Sequence, residues 1–274
     1  MVIFQLFSEI RSSLTENPAF EAQQIIMSAA GMNNTEFAFR LKDEVSADIC
    51  IAAREMAKRR IAGEPLQYIV GSAEFMGLTF RVNKNVLIPR ADTETLVEEV
   101  LRLTDGRKGD MLDIGTGSGC IGISAAHYNP GLNVTFLDIS AEALKTAEEN
   151  ARMNNVRGKF IKADILKETL ADRFDIIVSN PPYIRPDVIE TLQKEVKDYE
   201  PYGALCGGKD GLVFYRRIAE TAPLMLKKDG ILAFEIGYDQ AEAVVRIMHD
   251  FCDVRIIKDL CGNDRVVTGK KAKR

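Results

Sequence analysis

The segment Phe174-Asp175-Ile176-Ile177-Val178-Ser179-Asn180-Pro181-Pro182-Tyr183 sets a polar amide directly after an apolar run and before two prolines. Proline cannot continue a β-ladder, so the strand ends here and Asn180 stands at its carboxyl end. An amide or exocyclic amine is a poor nucleophile because its nitrogen lone pair is delocalised into the adjoining π system. Acceptors for both of its N–H groups would orient it and favour positive charge developing on nitrogen. The Asn180 side-chain oxygen and the Pro181 carbonyl are two such acceptors, and Tyr183 offers an aromatic face to a planar group. No general base is needed beforehand, since the proton becomes acidic once the nitrogen is alkylated. Standing alone, the tetrad reads better as a strand-terminating loop.

It does not stand alone. Upstream, Met111-Leu112-Asp113-Ile114-Gly115-Thr116-Gly117-Ser118-Gly119-Cys120 leaves a strand, turns on three alternating glycines and enters a helix. Glycines let a backbone turn sharply and approach a ligand with no Cβ in the way. Nineteen positions after Gly119, Asp138 ends the next strand, where an acid can accept hydrogen bonds from both ribose hydroxyls of a nucleoside. Together these predict an adenosine-containing cofactor. Gly117-x-Gly119-x-x-Gly122 also satisfies the dinucleotide fingerprint, with Asp138 at the expected distance, so glycine spacing leaves NAD and S-adenosylmethionine both open. Asp113 reads equally as a stabiliser of the turn and as a ligand contact. In a parallel sheet the glycine turn, Asp138 and Asn180 all fall at the carboxyl edge, where ligands bind.

The elements that must hold these residues follow from periodicity. To about Gly71 the apolar pattern is helical, broken at Asn17-Pro18 and at Gly63-Glu64-Pro65, which predicts a small helical bundle. Its last helix, Ser46 to about Ile61, carries Arg54, Lys58, Arg59 and Arg60 towards its end, where cations favour the helix dipole. Phe75–Phe80 and Val86–Ile88 read as two strands around the turn cluster Asn83-Lys84-Asn85, a hairpin joining two domains. A helix from about Asp92 to Leu103 follows. Beyond it, strand candidates at Met111–Ile114, Val134–Ile139, Lys159–Ala163, Phe174–Ser179, Ile231–Ile236, Val254–Lys258 and Arg265–Thr268 are mostly separated by helical stretches. That alternation predicts an α/β fold with a mainly parallel, doubly wound sheet. The last two strands are joined by Cys261-Gly262-Asn263-Asp264, too short for a parallel crossover, and should pair antiparallel. The tail Lys270-Lys271-Ala272-Lys273-Arg274 reads as a solvated end.

Composition narrows the chemistry. At 274 residues the chain is long enough for two domains, and 46% hydrophobic with 28% charged residues is ordinary globular usage. A formal net charge of -4 argues against a stable nucleic-acid partner. Glu9 and Arg11 interrupt the apolar opening before a secretory or membrane segment can form, so a cytoplasmic protein is expected. The five cysteines, Cys50, Cys120, Cys206, Cys252 and Cys261, contain no C-x-x-C pair and read as reduced thiols. His127 and His249 lie far apart in sequence, so neither a metal site nor a Ser-His-Asp triad is expected.

Several further segments bear on family. Arg60-Ile61-Ala62-Gly63-Glu64-Pro65-Leu66-Gln67-Tyr68 closes the helical part, Leu87-Ile88-Pro89-Arg90 precedes Asp92-Thr93-Glu94, and Gly207-Gly208-Lys209-Asp210-Gly211-Leu212 follows the asparagine motif. With Asp113–Gly119 and Asn180–Tyr183, this set resembles the HemK/PrmC family of peptide chain release factor glutamine methyltransferases over nearly the whole chain. The resemblance implies a seven-stranded Rossmann-like methyltransferase sheet, with a substrate-recognising helical domain over residues 1–72, a β-hairpin linker over 73–91 and a catalytic domain over 92–274. It implies S-adenosylmethionine as cofactor, held by Gly115, Thr116, Gly117, Ser118, Gly119, Asp138, Asp164, Ile165 and Asn180. Asn180, Pro181, Pro182 and Tyr183 would hold the acceptor, the glutamine of the Gly-Gly-Gln loop of class I release factors. Ile165 stands where many relatives carry an aromatic residue, so apolar packing rather than stacking is expected there. Ala91 stands where the family often has proline. Rival readings are an adenine-N6 DNA or RNA methyltransferase, which shares the amine chemistry, a non-catalytic nucleotide- or NAD-binding protein, and a catalytically silent scaffold.

Overall fold

Apolar residues recur at helical spacing from Ile3 onward. In the computed structural model, whose described residues are 1–272, they form α1 (Ile3–Ser13), α2 (Pro18–Ala30), α3 (Asn34–Phe39), α4 (Ala47–Ile61) and α5 (Leu66–Val70). Pro18 is the first residue of α2, and Ser46 caps α4 by accepting from the Ile49 N–H at 3.4 Å. Ile3, Leu6, Ile10, Ile25, Ile26 and Ala53 meet in one core. The cations towards the end of α4 are all ion-paired: Arg54 with Glu9, Lys58 with Glu55, Arg59 with Glu64, and Arg60 with Glu16, Glu21 and Glu195. These charges stabilise the unit itself. Glu195 lies in Gln193–Tyr199, which groups with Met1–Ser72 as one unit, while Ala73–Leu192 and the chain from Glu200 onward form the other.

In chain order there follow β1 (Ser72–Phe75), β2 (Leu78–Arg81), α6 (Glu94–Thr104), β3 (Gly109–Ile114), α7 (Cys120–Tyr128), β4 (Leu132–Asp138), α8 (Ala141–Met153), β5 (Gly158–Lys162) and β6 (Phe174–Ser179). Three short turns of helix come next, α9 (Pro186–Ile189), α10 (Lys194–Lys197) and α11 (Tyr202–Leu205), then α12 (Val213–Met225), β7 (Leu226–Glu235), α13 (Ala241–Ile247), β8 (Phe251–Lys258) and β9 (Asp264–Lys271). Seven strands make one sheet in the order β5-β4-β3-β6-β7-β9-β8. The first five are parallel, and β9 runs antiparallel to both β7 and β8, as the short Cys261–Asp264 connection requires.

Successive residues of the central strands enter opposite cores. Leu112, Ile114 and Ile177 pack with Tyr215 and Ile218 of α12 and Val244 of α13. Met111, Ile176 and Val178 pack with Leu96 and Val97 of α6 and Ile121 and Ile123 of α7. Burial on both faces is why these strands read as continuous apolar runs and why the sheet is doubly wound.

Three expectations need correction. The hairpin turns at Met76-Gly77, where φ is 50° and 68°, and not at Asn83-Lys84-Asn85. Two residues of positive φ match the twist of the flanking strands, and Gly77 gives the sequence signal. Val86–Ile88 is not a strand; Asn83 instead makes a local turn, its side chain accepting from the Asn85 N–H and donating to Thr146 of α8. The helix expected from about Asp92 is present, opening as a 3₁₀ turn over Ala91–Thr93 and continuing as α6 from Glu94. Lys270 and Lys271 are the end of β9 rather than a loose tail, because β9 pairs with both its neighbours there; Lys273 and Arg274 lie outside the described residues.

Candidate active site

The glycine turn leaves β3 and is tied to β4 by main-chain hydrogen bonds from Gly115 and Thr116 to the Leu137 carbonyl, at 2.8 and 3.0 Å. Gly115 and Gly117 have φ of 71° and 55°, and no protein atom lies within 4 Å of where a Cβ would stand on either. Positive φ therefore selects glycine here, and the turn keeps its outer side clear for a ligand. Gly122 is glycine for another reason: a Cβ would lie 2.5 Å from Phe136, so helix α7 sits hard against the sheet.

Asp138 closes the turn. One carboxylate oxygen accepts from the Gly117 N–H and the other from the Ser140 N–H, both at 2.9 Å. Each oxygen thus retains a lone pair. The residue is only 9% exposed, and burial outweighs these hydrogen bonds to raise its pKa above the usual carboxylate value. Asp113 is fully buried beneath the turn. Its Oδ2 accepts from the Thr116 hydroxyl at 2.6 Å and the Gly122 N–H at 3.1 Å, whereas Oδ1 has no partner. Burial pushes its pKa up to about 6. Asp113 therefore does the turn-stabilising work with one oxygen and leaves the other unused.

Asn180 lies one strand across. The Ser179 hydroxyl donates to the Ile114 carbonyl at 2.8 Å, locking the end of β6 to the end of β3 immediately before the glycine turn. The Asn180 Nδ2 donates to the Thr93 hydroxyl at 3.3 Å. Pro181 is buried, and Tyr183 packs against the core on the α12 side, where burial pushes its hydroxyl up to about 12. The loop after Tyr183 is braced from outside. Gln240 donates to the Tyr183 carbonyl at 3.1 Å, and Ile184 exchanges backbone bonds with Leu205 and Gly207. A Cβ on Gly207 would lie 2.6 Å from Tyr183 Cα, and one on Gly211 only 2.4 Å from the Tyr183 carbonyl oxygen. This close approach explains the glycines of Gly207–Leu212.

Ser118 is buried with its hydroxyl unpartnered, within the turn. Asp164 is held locally: it pairs with Lys167 at 2.9 Å and accepts from the Leu166 N–H at 3.0 Å, interactions that keep its pKa low. Ile165 is a buried core residue whose carbonyl accepts from Arg217. Cys120 is buried and its thiol is pushed up to about 12, leaving it unreactive. Arg90 is ion-paired with Glu200. Among the described residues no group of His, Cys, Asp and Glu is arranged to hold a metal, and no helix is long and apolar enough to cross a membrane.

Two residues escaped sequence reasoning. Thr93 caps nothing and reads as an ordinary early-helix residue, yet it is buried and accepts from Asn180. Glu235 ends the buried strand β7, and the side chains of Thr93 and Asn180 act on its carboxyl group to favour the ionised form. An acid closing an apolar run was the available signal, the same one that marked Asp138.

Known proteins extend this picture. The family profile of the PrmC N-terminal domain matches residues 5–71, and that of the methyltransferase small domain matches residues 91–196. A protein of Fusobacterium nucleatum named release factor glutamine methyltransferase is 43% identical over 93% of this chain and 74% of its own. Proteins of the same name from Clostridium botulinum and Geobacter sulfurreducens are 48% identical over 76% of this chain and 40% identical over 93%, covering 76% and 90% of their own lengths. Among solved structures, a methyltransferase from Pyrococcus furiosus superposes with a TM-score of 0.56 at 21% identity, over 81% of this chain and 98% of that one, a likeness of fold.

Proposed function

The chain belongs to the release factor glutamine methyltransferase family, and on that premise we propose that it methylates the side-chain amide nitrogen of the Gly-Gly-Gln glutamine in class I peptide chain release factors, supporting translation termination. S-adenosylmethionine supplies an electrophilic methyl group on a sulfonium centre when bound. The residues present fit it. Gly115 to Gly119 offer a turn with clear space beside Gly115 and Gly117, and Asp138 keeps a lone pair on each oxygen for ribose hydroxyls. Thr116, Ser118, Asp164, Ile165 and Asn180 complete the proposed cofactor contacts, with Ile165 as apolar wall.

The observation that carries the acceptor reading is the engagement of the Asn180 Nδ2 by Thr93. With the nitrogen end of this amide turned inward, Oδ1 is the end left to accept an N–H from the substrate amide. The Pro181 carbonyl would take the second N–H, and Pro182 and Tyr183 would wall the planar group. Two accepted hydrogen bonds localise the lone pair of the attacking nitrogen and favour the charge it acquires. The helical unit of residues 1–72 would recognise the protein substrate; Phe4, Phe20 and Phe39 are large apolar side chains exposed on it.

Incubation of purified release factor with the protein and S-adenosylmethionine, followed by peptide mass spectrometry, tests the reading. One added methyl group on the Gly-Gly-Gln peptide is expected. Methylation of adenine in DNA or RNA with an unmodified release factor would replace it with the nucleic-acid alternative.

A further inference from the structure

We propose that Glu235 is a positioning residue for methyl transfer: its carboxylate accepts from the Asn180 Nδ2 and so fixes which end of that amide faces the acceptor nitrogen. The inference rests on the methyl-transfer reading above. Its basis is the geometry of adjacent strand ends. β6 and β7 pair in parallel, with Ser179 beside Phe234 at the last rung, so the next residues, Asn180 and Glu235, emerge side by side at the carboxyl edge.

Glu235 is 2% exposed, and a buried carboxylate is costly unless its interactions are used. The side chains of Thr93 and Asn180 favour its ionised form, and its Oε2 has no hydrogen-bond partner. Thr93 is also 2% exposed; its hydroxyl accepts from Asn180 Nδ2 at 3.3 Å, which leaves its single proton for Glu235. With the proposed Asn180 Nδ2–Glu235 bond made, the directions in this triangle follow. An ionised carboxylate can only accept, so both N–H groups of Asn180 turn inward, one towards Thr93 and one towards Glu235. Oδ1 is then held outward. An isolated asparagine has no such preference, since its two ends differ little in shape.

Protonation removes the constraint, because a neutral acid can donate and so tolerate the reversed amide. A reversed Asn180 presents an NH₂ group to the acceptor N–H and cannot accept from it. The charged and titratable groups facing Glu235 are Arg265 on β9, Asp92 in the turn before α6, Tyr183 after β6, Tyr215 on α12 and Cys120 on α7. Arg265 favours the carboxylate, but its guanidinium is shared with Asp259 at 3.1 Å and Asp92 at 3.0 Å. Asp92 opposes, and burial dominates, pushing Glu235 up to about 7.

The test compares wild type, Glu235→Gln and Glu235→Ala in single-turnover methylation of release factor at saturating cofactor from about pH 5.5 to 8.5, with cofactor affinity measured by calorimetry. The wild-type rate should rise about tenfold per pH unit below the Glu235 pKa and level off above it. Glu235→Gln retains an acceptor oxygen and should flatten that step while keeping more activity than Glu235→Ala, which should lose on the order of 10²-fold with cofactor affinity within about twofold. In ¹⁵N-labelled protein without release factor, the Asn180 side-chain amide resonances should shift with the same ionisation in wild type and not in Glu235→Gln. A flat wild-type profile, an unchanged step in Glu235→Gln, or a wild-type rate in Glu235→Ala overturns the proposal. Should the alanine variant fail to fold, the glutamine profile and the amide resonances decide. Absence of methyl transfer by wild type would remove the functional reading, whereas the amide titration reads the Glu235 contact independently of any acceptor.

Discussion

Replacing Asp113 with asparagine should stabilise the free protein at neutral pH and weaken its hold on the cofactor. The side chain is fully buried, with Oδ2 satisfied by Thr116 and Gly122 and Oδ1 unpartnered. Burial raises its pKa from the ordinary 3.8 to about 6. At about 1.36 kcal/mol per pKa unit, that rise is worth on the order of 3 kcal/mol of stability. The sign follows from which state holds the proton. Below pH 3.8 both folded and unfolded chains are protonated and nothing is lost; between 3.8 and about 6 only the unfolded chain has released its proton, so stability falls; above about 6 the loss is complete.

Asparagine keeps an oxygen for Thr116 and Gly122 and carries no charge, but its NH₂ takes the unpartnered place, at a cost of about 1–3 kcal/mol. A modest net gain near pH 7.5 is expected, about 1 kcal/mol, or about 2–4 °C in Tm. The better measure is the pH dependence. Urea unfolding of both proteins should show the variant's advantage growing by up to about 3 kcal/mol between about pH 4 and 7.5. A difference that does not change with pH would refute the argument that burial holds this carboxyl in a costly charged state. Calorimetry should at the same time show cofactor affinity reduced about tenfold, since a buried negative charge favours a cationic ligand.

Asp138→Ala removes the acceptor proposed for the ribose and also orphans the Gly117 and Ser140 N–H groups; affinity for S-adenosylmethionine should fall by about 1.5–3 kcal/mol, and unchanged affinity, or tighter binding of NAD, would reassign the site. Asn180→Ala should lower kcat by about 2.7–4 kcal/mol of transition-state stabilisation with the fold intact by circular dichroism, and Asn180→Asp, which keeps an acceptor oxygen but brings a second acid against Glu235, should be impaired though less so. Phe39 is 86% exposed on the helical unit; Phe39→Asp should raise KM for release factor with calorimetric cofactor affinity unchanged, and an unaltered KM would remove this side chain from the docking face.

Legibility of the fold in sequence tracked how local the cause was. Phe174–Ser179 matches its predicted span residue for residue, because an apolar run bounded by Pro181-Pro182 admits one reading. The hairpin was misplaced because half its turn is Met76, an apolar residue in a left-handed conformation that composition gives no reason to suspect, while the turn-forming Asn83–Asn85 lay close by. Gln193–Tyr199 groups with the distant residues 1–72 partly through the Arg60–Glu195 pair, a non-local bond that no periodicity encodes. The glycine turn and Asp138 were legible because their spacing along the chain fixes their spacing in space. The neighbouring positions of Asn180 and Glu235 were not, since they depend on the register of β6 against β7 across an intervening stretch of more than fifty residues.

The acids of the site share a physical logic that single residues do not reveal. Asp113 is the penultimate residue of β3, Asp138 closes β4, Glu235 closes β7, and Asn180 follows β6 within that same run of neighbouring strands β4-β3-β6-β7. All three carboxyls are buried, and in each burial is the largest cause of a raised pKa. The buried cation nearby, Arg265, is largely committed to Asp92 and Asp259. A crevice that only needed to bind a neutral ligand would gain nothing from this arrangement, which lowers stability at neutral pH. A crevice that must hold positive charge gains a great deal, because fixed carboxylates in a medium of low polarity act strongly and need no rearrangement as the reaction proceeds. Such a field would favour a cation at the donor side through Asp113 and Asp138 before transfer and at the acceptor nitrogen through Glu235 after it, without any of these acids acting as a base.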